Sequence, residues 1–499
     1  MLFLGIETGV RGIRGIVLDL DAAEVVAEAA VAPEFVEGLP EGHREQDPAT
    51  WIAAVDRVVR RCVEKLGERR NKLAAIGVSG SDRGLVALDE DNRIVRPAKV
   101  EGDRSCWRQA EMLQRAFGGG PGLIELTGNP LLPSHAAPSV LWLKQHEPYH
   151  FQRVASLLLP HDFINYWLTT VRRSEYCGAS VSGMFDVRKR EWCREVTDWV
   201  DPRLIEMLPP PVSPLDPHGP LRPDLAEAWG VPKDVLVAAG APELMATLAA
   251  AGCVVDGDLM VSLSAGAELA CVSGEPSPDG RGEVATLCDV TGNWLGALSM
   301  TSGSAAPELI RRHYGWSVGE FEGMVAAAAP GAGGLMMLPY LEGERIPMLP
   351  DGCGVLHGLT VDNFTPDNLA RAAVEGVALG LGYGLTRLRE LGMDPSEVRT
   401  TGSASASLTW RQMLADVTGL PVASPSGYRG ASMGAALQAA ITFFRQSGES
   451  LSFAEIAAYA VEGEPDPPCE PDRERNRIYE QMISRQQYLV DTLHPAGFL

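Results

Sequence analysis

The residues of this 499-residue chain that could do chemistry fall into three kinds of segment. Two glycine-tipped turns, Thr8-Gly9-Val10-Arg11-Gly12 and Ser264-Ala265-Gly266-Ala267, let backbone amides and nearby hydroxyls come close to an anion. Two short charged segments, Gly80-Ser81-Asp82-Arg83-Gly84 and Glu101-Gly102-Asp103-Arg104-Ser105, offer groups for a polar ligand. One carboxylate, Glu243, follows Pro242; it is suited to take a proton from a hydroxyl, and it is equally the acid that the start of a helix favours. Lysine is scarce, with six in all and none beyond Lys233. Any phosphate contact in the second half therefore has to use arginine, hydroxyls or backbone amides. His135, His146, His150 and His161 are near one another in sequence, but Pro148 breaks the helical face that His146 and His150 would share, so they read as scattered and not as a zinc site.

The elements that must position these residues alternate between strand and helix. Leu2 to Ile6 and Ile13 to Leu20 read as a hairpin around the first turn, and 258–263 with 269–273 as a second hairpin around Ser264-Ala265-Gly266-Ala267. Asp47-Pro48, followed by Trp51, Ile52, Val55, Val58 and Val59, predicts a capped amphipathic helix. Leu73 to Val78 predicts a buried parallel strand opening into the Ser81 loop. Val235 to Ala239 is a strand and 242–251 a helix of small residues, while Thr365-Pro366 starts a long helix to about Leu391 and Asp472 to Leu493 forms the last one. Pro209 to Pro223 is the best linker candidate. Two glycine-tipped hairpins, each heading an α/β half, suggest duplicated domains facing each other across a cleft.

Several segments together resemble the FGGY family of carbohydrate kinases, closest to its xylulokinase-like branch. They are Gly5-Ile6-Glu7-Thr8-Gly9 with Gly12 and Arg14, Glu45-Gln46-Asp47-Pro48 with Trp51, 159–163, 338–347, 410–416 and Gly434-Ala435-Ala436, in family order over nearly the whole chain. The resemblance implies an α/β protein made of duplicated actin-like ATPase (ribonuclease H-like) domains: residues 1–236 on the sugar side, joined by the helix 470–499, and 237–469 on the nucleotide side. It also implies ATP with Mg²⁺ as phosphoryl donor, Glu243 at the catalytic position, and Thr8, Gly9, Arg11, Arg14, Ser264, Gly266, Gly402 and Ser403 around the nucleotide. Ser81, Asp82, Arg83, Glu101, Asp103 and Arg104 would face the sugar. Phosphoryl transfer needs donors around the phosphates and a carboxylate at the attacking hydroxyl, and these residue types supply both. Residues that would ligate a metal are not identified, and a homodimer is plausible.

The chain departs from the family pattern at several of these positions. Glu243 stands where the family has aspartate, Val10 and Ala265 remove hydroxyls from the two turns, Ser403 narrows the adenosine turn, Glu101 replaces a tryptophan and Ser139 a lysine. Two readings follow: an ATP-dependent kinase for a pentulose or a more polar or charged sugar derivative, or an impaired pseudokinase that senses a sugar or nucleotide. Glu344 and Arg345 read as bracing the second half. The excess of 65 Asp and Glu over 43 Lys and Arg, a net charge of −22, opposes a nucleic-acid surface. No apolar tract is long enough to span a bilayer and the nine cysteines form no CxxC pair, so a soluble cytoplasmic protein with free thiols is expected.

Overall fold

The computed structural model describes residues 1–10, 12–81, 83–425, 428–449, 451–460 and 467–499, without the side chains of Ser403, Ala404 and Tyr459. The chain divides into two compact units. The first comprises Met1–Val254, Gly274–Leu295 and Gly427–Gly463, and the second Val255–Ser273, Gly296–Ser426 and Glu464–Leu499.

In the first unit, β1 (Leu2–Gly9), β2 (Gly12–Asp19) and β3 (Glu24–Val31) form an antiparallel meander, and β4 (Leu73–Gly80) lies parallel to β1 on its other side. Strand Leu236–Ala238 continues the sheet parallel to β4, and Pro217–Pro220 closes its edge. The proline-rich stretch expected to be a linker is thus partly an edge strand. An edge is where a residue lacking an N–H fits a sheet.

Helix Pro48–Leu66 covers one face of this sheet. Asp47 caps it by accepting from the Ala49 amide, and Trp51, Val55, Val58, Val59 and Cys62 are buried. Helix Ala431–Gln446 packs on the sheet as well, and there the backbones nearly touch. A Cβ on Gly5 would lie 1.9 Å from the Ser432 carbonyl oxygen, and one on Gly77 1.9 Å from that of Ala435. Gly434 plays the same part towards helix Glu243–Ala250, where a Cβ would sit 1.8 Å from the Ala246 oxygen. The small-residue run Gly434-Ala435-Ala436 is therefore a packing device of the first unit, although its place in sequence suggested the second half.

The second unit repeats the plan. Its strands run in the order Trp294–Met300, Ala267–Ser273, Leu259–Leu263, Val398–Thr401, Val422–Ala423, with Leu259–Leu263 antiparallel to its hairpin partner and parallel to Val398–Thr401. Apart from one extra edge strand in each, Pro217–Pro220 in the first sheet and Ala285–Cys288 beside Trp294–Met300 in the second, five strands of each sheet follow the same order, 3-2-1-4-5, so the duplication expected from the hairpins is present. Helix Pro366–Glu390 is capped by Thr365 and almost wholly buried. The last helix, Arg473–Leu493, was expected with the first half but packs in the second unit. Its Tyr479 hydroxyl lies 2.7 Å from Arg371 Nη2 and 2.8 Å from Glu375 Oε1, and Gln486 Nε2 donates to the Gly376 carbonyl at 3.0 Å. Arg371 and Glu375 are both buried and their compensation includes Tyr479, which ties the helix there. No helix among the described residues is long and apolar enough to cross a membrane.

Candidate active site

Three chain segments end together at the carboxyl edge of the first unit's sheet, the edge where open α/β sheets bind ligands. Thr8 is in register with Gly80 across the parallel β1–β4 pair. Ala241 and Pro242 run parallel to Ser79 and Gly80, so Glu243 follows directly beside the start of the Ser81 loop. Glu243 is half-buried and is the first residue of helix Glu243–Ala250. The helix dipole at that end favours the ionised carboxylate. Gly240, just upstream, has φ +86° and a Cβ position 2.7 Å from Asn165 Nδ2, so the turn into Glu243 needs glycine.

A buried polar cluster underlies this edge. His161 Nε2 lies 2.9 Å from Glu175 Oε1 and 3.3 Å from Asp162 Oδ1, all three residues being 1 % exposed. Glu175 accepts from the Cys177 and Gly178 amides, and Asp162 accepts from Ser174 Oγ at 2.7 Å. Burial pushes Asp162 up to about 7; His161 opposes the shift and the Glu175 charge adds to it. A Cβ on Gly80 would lie 2.9 Å from His161 Cβ, which puts the cluster directly against the loop entrance. Sequence reading gives His161 no role; the available signal is adjacent His161 and Asp162 at the start of a helix whose other residues are largely apolar.

Of the residues expected around phosphate, Thr8 is buried and its hydroxyl donates to the Ser79 carbonyl at 2.9 Å. Gly9 pairs with Gly12 at the end of the hairpin. Arg14 is held on β2 by Glu28 Oε1, 2.9 Å from Nε and 2.7 Å from Nη2, while Nη1 donates to the Arg429 carbonyl at 3.1 Å. Glu7, directly across the hairpin from Arg14, accepts from the Ser432 amide at 3.3 Å. Burial raises the Glu7 pKa against the pull of that amide and of Arg14. In sequence Glu7 stands only as a member of the Gly5-Ile6-Glu7-Thr8-Gly9 motif. Counting back from the paired glycines at the tip would have set it opposite Arg14. Arg11 and Asp82 lie outside the described residues, as does the side chain of Ser403.

In the second unit the hairpin tip is a tight turn, with the Ser264 amide bonded to the Gly266 carbonyl at 2.9 Å. Ser304 braces it, donating from its amide (2.8 Å) and its hydroxyl (2.7 Å) to the Ser264 carbonyl. A Cβ on Gly266 would meet the Met300 oxygen at 2.8 Å. Gly402 has φ +86° and a Cβ position 2.3 Å from the Leu263 oxygen, so its glycine is required by the neighbouring strand whether or not a nucleotide approaches. Glu344, 2 % exposed, accepts from the amides of Thr301 (2.8 Å), Ser302 (3.0 Å) and Arg345 (2.6 Å), a bracing role for that carboxylate.

On the acceptor side, Ser81 is buried and its hydroxyl accepts from the Arg83 amide at 3.4 Å. Arg83 is half-buried, and its side chain donates to Ser134 Oγ at 3.0 Å with no carboxylate among the described residues in ion-pair range. Asp103 is committed within the fold: it accepts from the Arg44 amide (2.8 Å), Lys99 Nζ (3.4 Å) and the Ser105 amide (2.9 Å). Glu101 is exposed, and its carbonyl accepts from Arg44. Arg104 lines a different pocket, whose wall includes none of Ser81, Arg83, Glu101, Asp103 or Glu243. Among the described residues His43, Glu45 and Asp103 bring their ligand atoms within 4.8 Å of one another. The Lys99 ammonium, 3.2 Å from Glu45 and 3.4 Å from Asp103, already supplies a cation there. A hard divalent ion takes oxygen ligands. Among the described residues at that edge Glu243 is a carboxylate that could lend one, whereas Glu7 faces Arg14 and the Ser432 amide.

Residues 2–250 match the N-terminal domain, and residues 284–443 the C-terminal domain, of the FGGY family of carbohydrate kinases. The chain is 31 % identical to a xylulose kinase of Haemophilus influenzae over 88 % of its length and 90 % of that protein. It is 30 % identical to a xylulose kinase of Escherichia coli over 84 % of its length and 85 % of the relative. A crystal structure described as a xyloylose kinase from Brucella ovis superposes with a TM-score of 0.92 at 26 % identity, covering 100 % of both chains. The architecture is the two-domain actin-like ATPase fold of such sugar kinases.

Proposed function

The chain belongs to the FGGY family of carbohydrate kinases, and on that premise we propose that it transfers the γ-phosphoryl group of ATP to a hydroxyl of a xylulose-like sugar or a more polar derivative, with Glu243 as general base. The observation that carries the reading is the register that sets Glu243 beside the Ser81 loop and the Thr8 end of β1.

Glu243 takes the proton of the acceptor hydroxyl as its oxygen bonds to the γ-phosphorus, and the bond to the β–γ bridging oxygen breaks to release ADP. In the second unit, Gly266 and the Ser264 hydroxyl would offer donors to phosphate, and Gly402 and Ser403 would border adenosine; in the first, the turn after Thr8 offers backbone amides to an anion. Glu243 would be the described residue to hold Mg²⁺, which would supply positive charge to offset that of the phosphates. Arg83 supports an acceptor with a charged or strongly polar group, because its half-buried guanidinium, with Ser134 Oγ as its side-chain partner among the described residues, has donors left over for a ligand. An ATP-using enzyme with nine free cysteines suits the cytoplasm, and light scattering would test the homodimer.

The test is ADP release with Mg-ATP against pentuloses, polyols and aldonates. Acceptor-dependent release lost in Glu243→Gln supports the kinase, and release unchanged in that variant overturns the assignment of the base. A second reading, an impaired sensor, is favoured by the commitment of Thr8 and Arg14 to protein partners. It predicts that no turnover is found with any acceptor while a sugar or nucleotide still binds.

A further inference from the structure

Two buried amide side chains converge on the turn that leads into Glu243. Asn165, on helix Pro160–Thr169, is fully buried, and Gln438, on helix Ala431–Gln446, is 1 % exposed. Asn165 Nδ2 donates to the Ala239 carbonyl at 2.7 Å and to that of Ala238 at 3.4 Å. Gln438 Nε2 donates to the Gly240 carbonyl at 2.8 Å and to the Pro214 carbonyl at 2.9 Å. Three of the four acceptors are thus the consecutive carbonyls of 238–240, gripped by side chains from two different helices. Turning either amide over would set its oxygen against those carbonyl oxygens, so the acceptors fix which way it faces.

The grip leaves two oxygens unsatisfied. Asn165 Oδ1 and Gln438 Oε1 are both buried, and neither accepts a hydrogen bond among the described residues. A buried carbonyl without a donor is unfavourable, so the pair is not explained by packing alone. What the turn needs explains it. Gly240 has φ +86°, and a Cβ there would lie 2.7 Å from Asn165 Nδ2 and 2.8 Å from the Val78 carbonyl oxygen. Only glycine fits, and glycine leaves a turn conformationally free unless other groups hold it. The reach of Gln438 follows from close helix packing. Gly434, one helical turn earlier and on the same face, is where a Cβ would sit 1.8 Å from the Ala246 carbonyl oxygen. One helix therefore sets the body of helix Glu243–Ala250 through Gly434 and the turn before it through Gln438.

We infer that Asn165 and Gln438 are positioning residues for Glu243: by holding the carbonyls of Ala239 and Gly240 they fix the backbone from which the carboxylate is presented to the acceptor hydroxyl. The inference rests on Glu243 as the base. Ala241 and Pro242, in register with Ser79 and Gly80, complete the restraint on the other side of the glycine. The two amides act on main chain, so their effect belongs to the rate of the chemical step and not to the binding of sugar or ATP. A carboxylate misplaced by about 1 Å loses on the order of a hundredfold in rate.

Steady-state kinetics of Gln438→Met and Asn165→Leu, which keep the bulk and remove the donors, test it beside Glu243→Gln and the double variant Glu243→Gln/Gln438→Met. Each single replacement of an amide should lower kcat roughly tenfold or more, with KM for sugar and for ATP within about twofold of the wild type. In the Glu243→Gln background Gln438→Met should leave the residual rate unchanged, because it acts through the missing carboxylate. Gln438→Glu, kept neutral by burial and so retaining one O–H donor, should recover part of the kcat lost in Gln438→Met. Hydrogen exchange should quicken over 239–244 in both amide variants, which separates a loosened turn from a chain that fails to fold. Unchanged kcat in both, or the same loss with and without the Glu243 carboxylate, overturns the positioning role while the base stands. Faster exchange throughout the first unit, with kcat and KM both altered, assigns the amides to stability alone and overturns it as well. ADP release unchanged in Glu243→Gln overturns the base itself, and this inference with it.

Discussion

Glu243 carries one more methylene than the aspartate family pattern, and its backbone is set by Pro242 and by Gly240 at positive φ. A carboxylate withdrawn by about 1 Å costs on the order of a hundredfold in rate when its surroundings are built for the longer side chain. Glu243→Asp should therefore lower kcat by roughly ten- to a hundredfold with little change in KM, as steady-state kinetics would show. Asp162 yields a prediction about pH. Its folded pKa, about 7, is above that of an unfolded aspartate, so the unfolded chain releases the proton first and stability falls as pH rises from about 4 to 7. Urea denaturation of Asp162→Asn should show a smaller loss of stability between pH 5 and pH 8 than the wild type. His161 and Glu175 face this carboxyl directly and remain in that variant, so a slope that is unchanged assigns the titration to them. The cluster was not legible as a unit in sequence, because Glu175 meets the adjacent pair His161-Asp162 only in the folded chain.

At the scale of elements, local signals decided much. Asp47 caps helix Pro48–Leu66 and Thr365 caps Pro366–Glu390, each as the residue types around the proline predict. The two hairpins follow from glycine tips between apolar runs. Packing partners were not encoded in the same way. Gly5 and Gly434 enter in sequence only as motif members and Gly77 within an apolar strand, yet each marks a place where one backbone lies on another. Gly434→Ala should destabilise the first unit by about 1–3 kcal/mol, because the Ala246 carbonyl it would strike is main chain and cannot turn aside. Chemical denaturation followed by a probe in that unit would measure it. Tyr479→Phe removes the hydroxyl between Arg371 and Glu375 and should cost about 1–2 kcal/mol in the second unit, since both charges stay buried.

For the whole molecule, the two units share the order of five sheet strands but draw on interleaved stretches of chain, with Ala431–Gln446 returning to the first unit and Arg473–Leu493 to the second. Removal of residues 470–499 should therefore lower the thermal transition of the second unit and expose Arg371 and Glu375, whereas the first unit, which holds its own closing helix, should retain its transition in calorimetry. The sequence by itself determined the duplicated α/β class, the glycine-tipped hairpins, the helix caps and the kinship, since these rest on local spacing and on motifs that stay in order. It also singled out Glu243, whose place beside the Ser81 loop then follows from the register of adjacent strands. Only the tertiary structure decided what the polar residues are free to do. Thr8, Arg14 and Asp103 are bound to groups up to 415 residues away, the Arg83 side chain donates to Ser134 Oγ, and Arg104 turns to a pocket elsewhere in the first unit. A hydrogen bond or ion pair is made with whatever the fold brings within about 3 Å, and residue type and spacing cannot specify that partner.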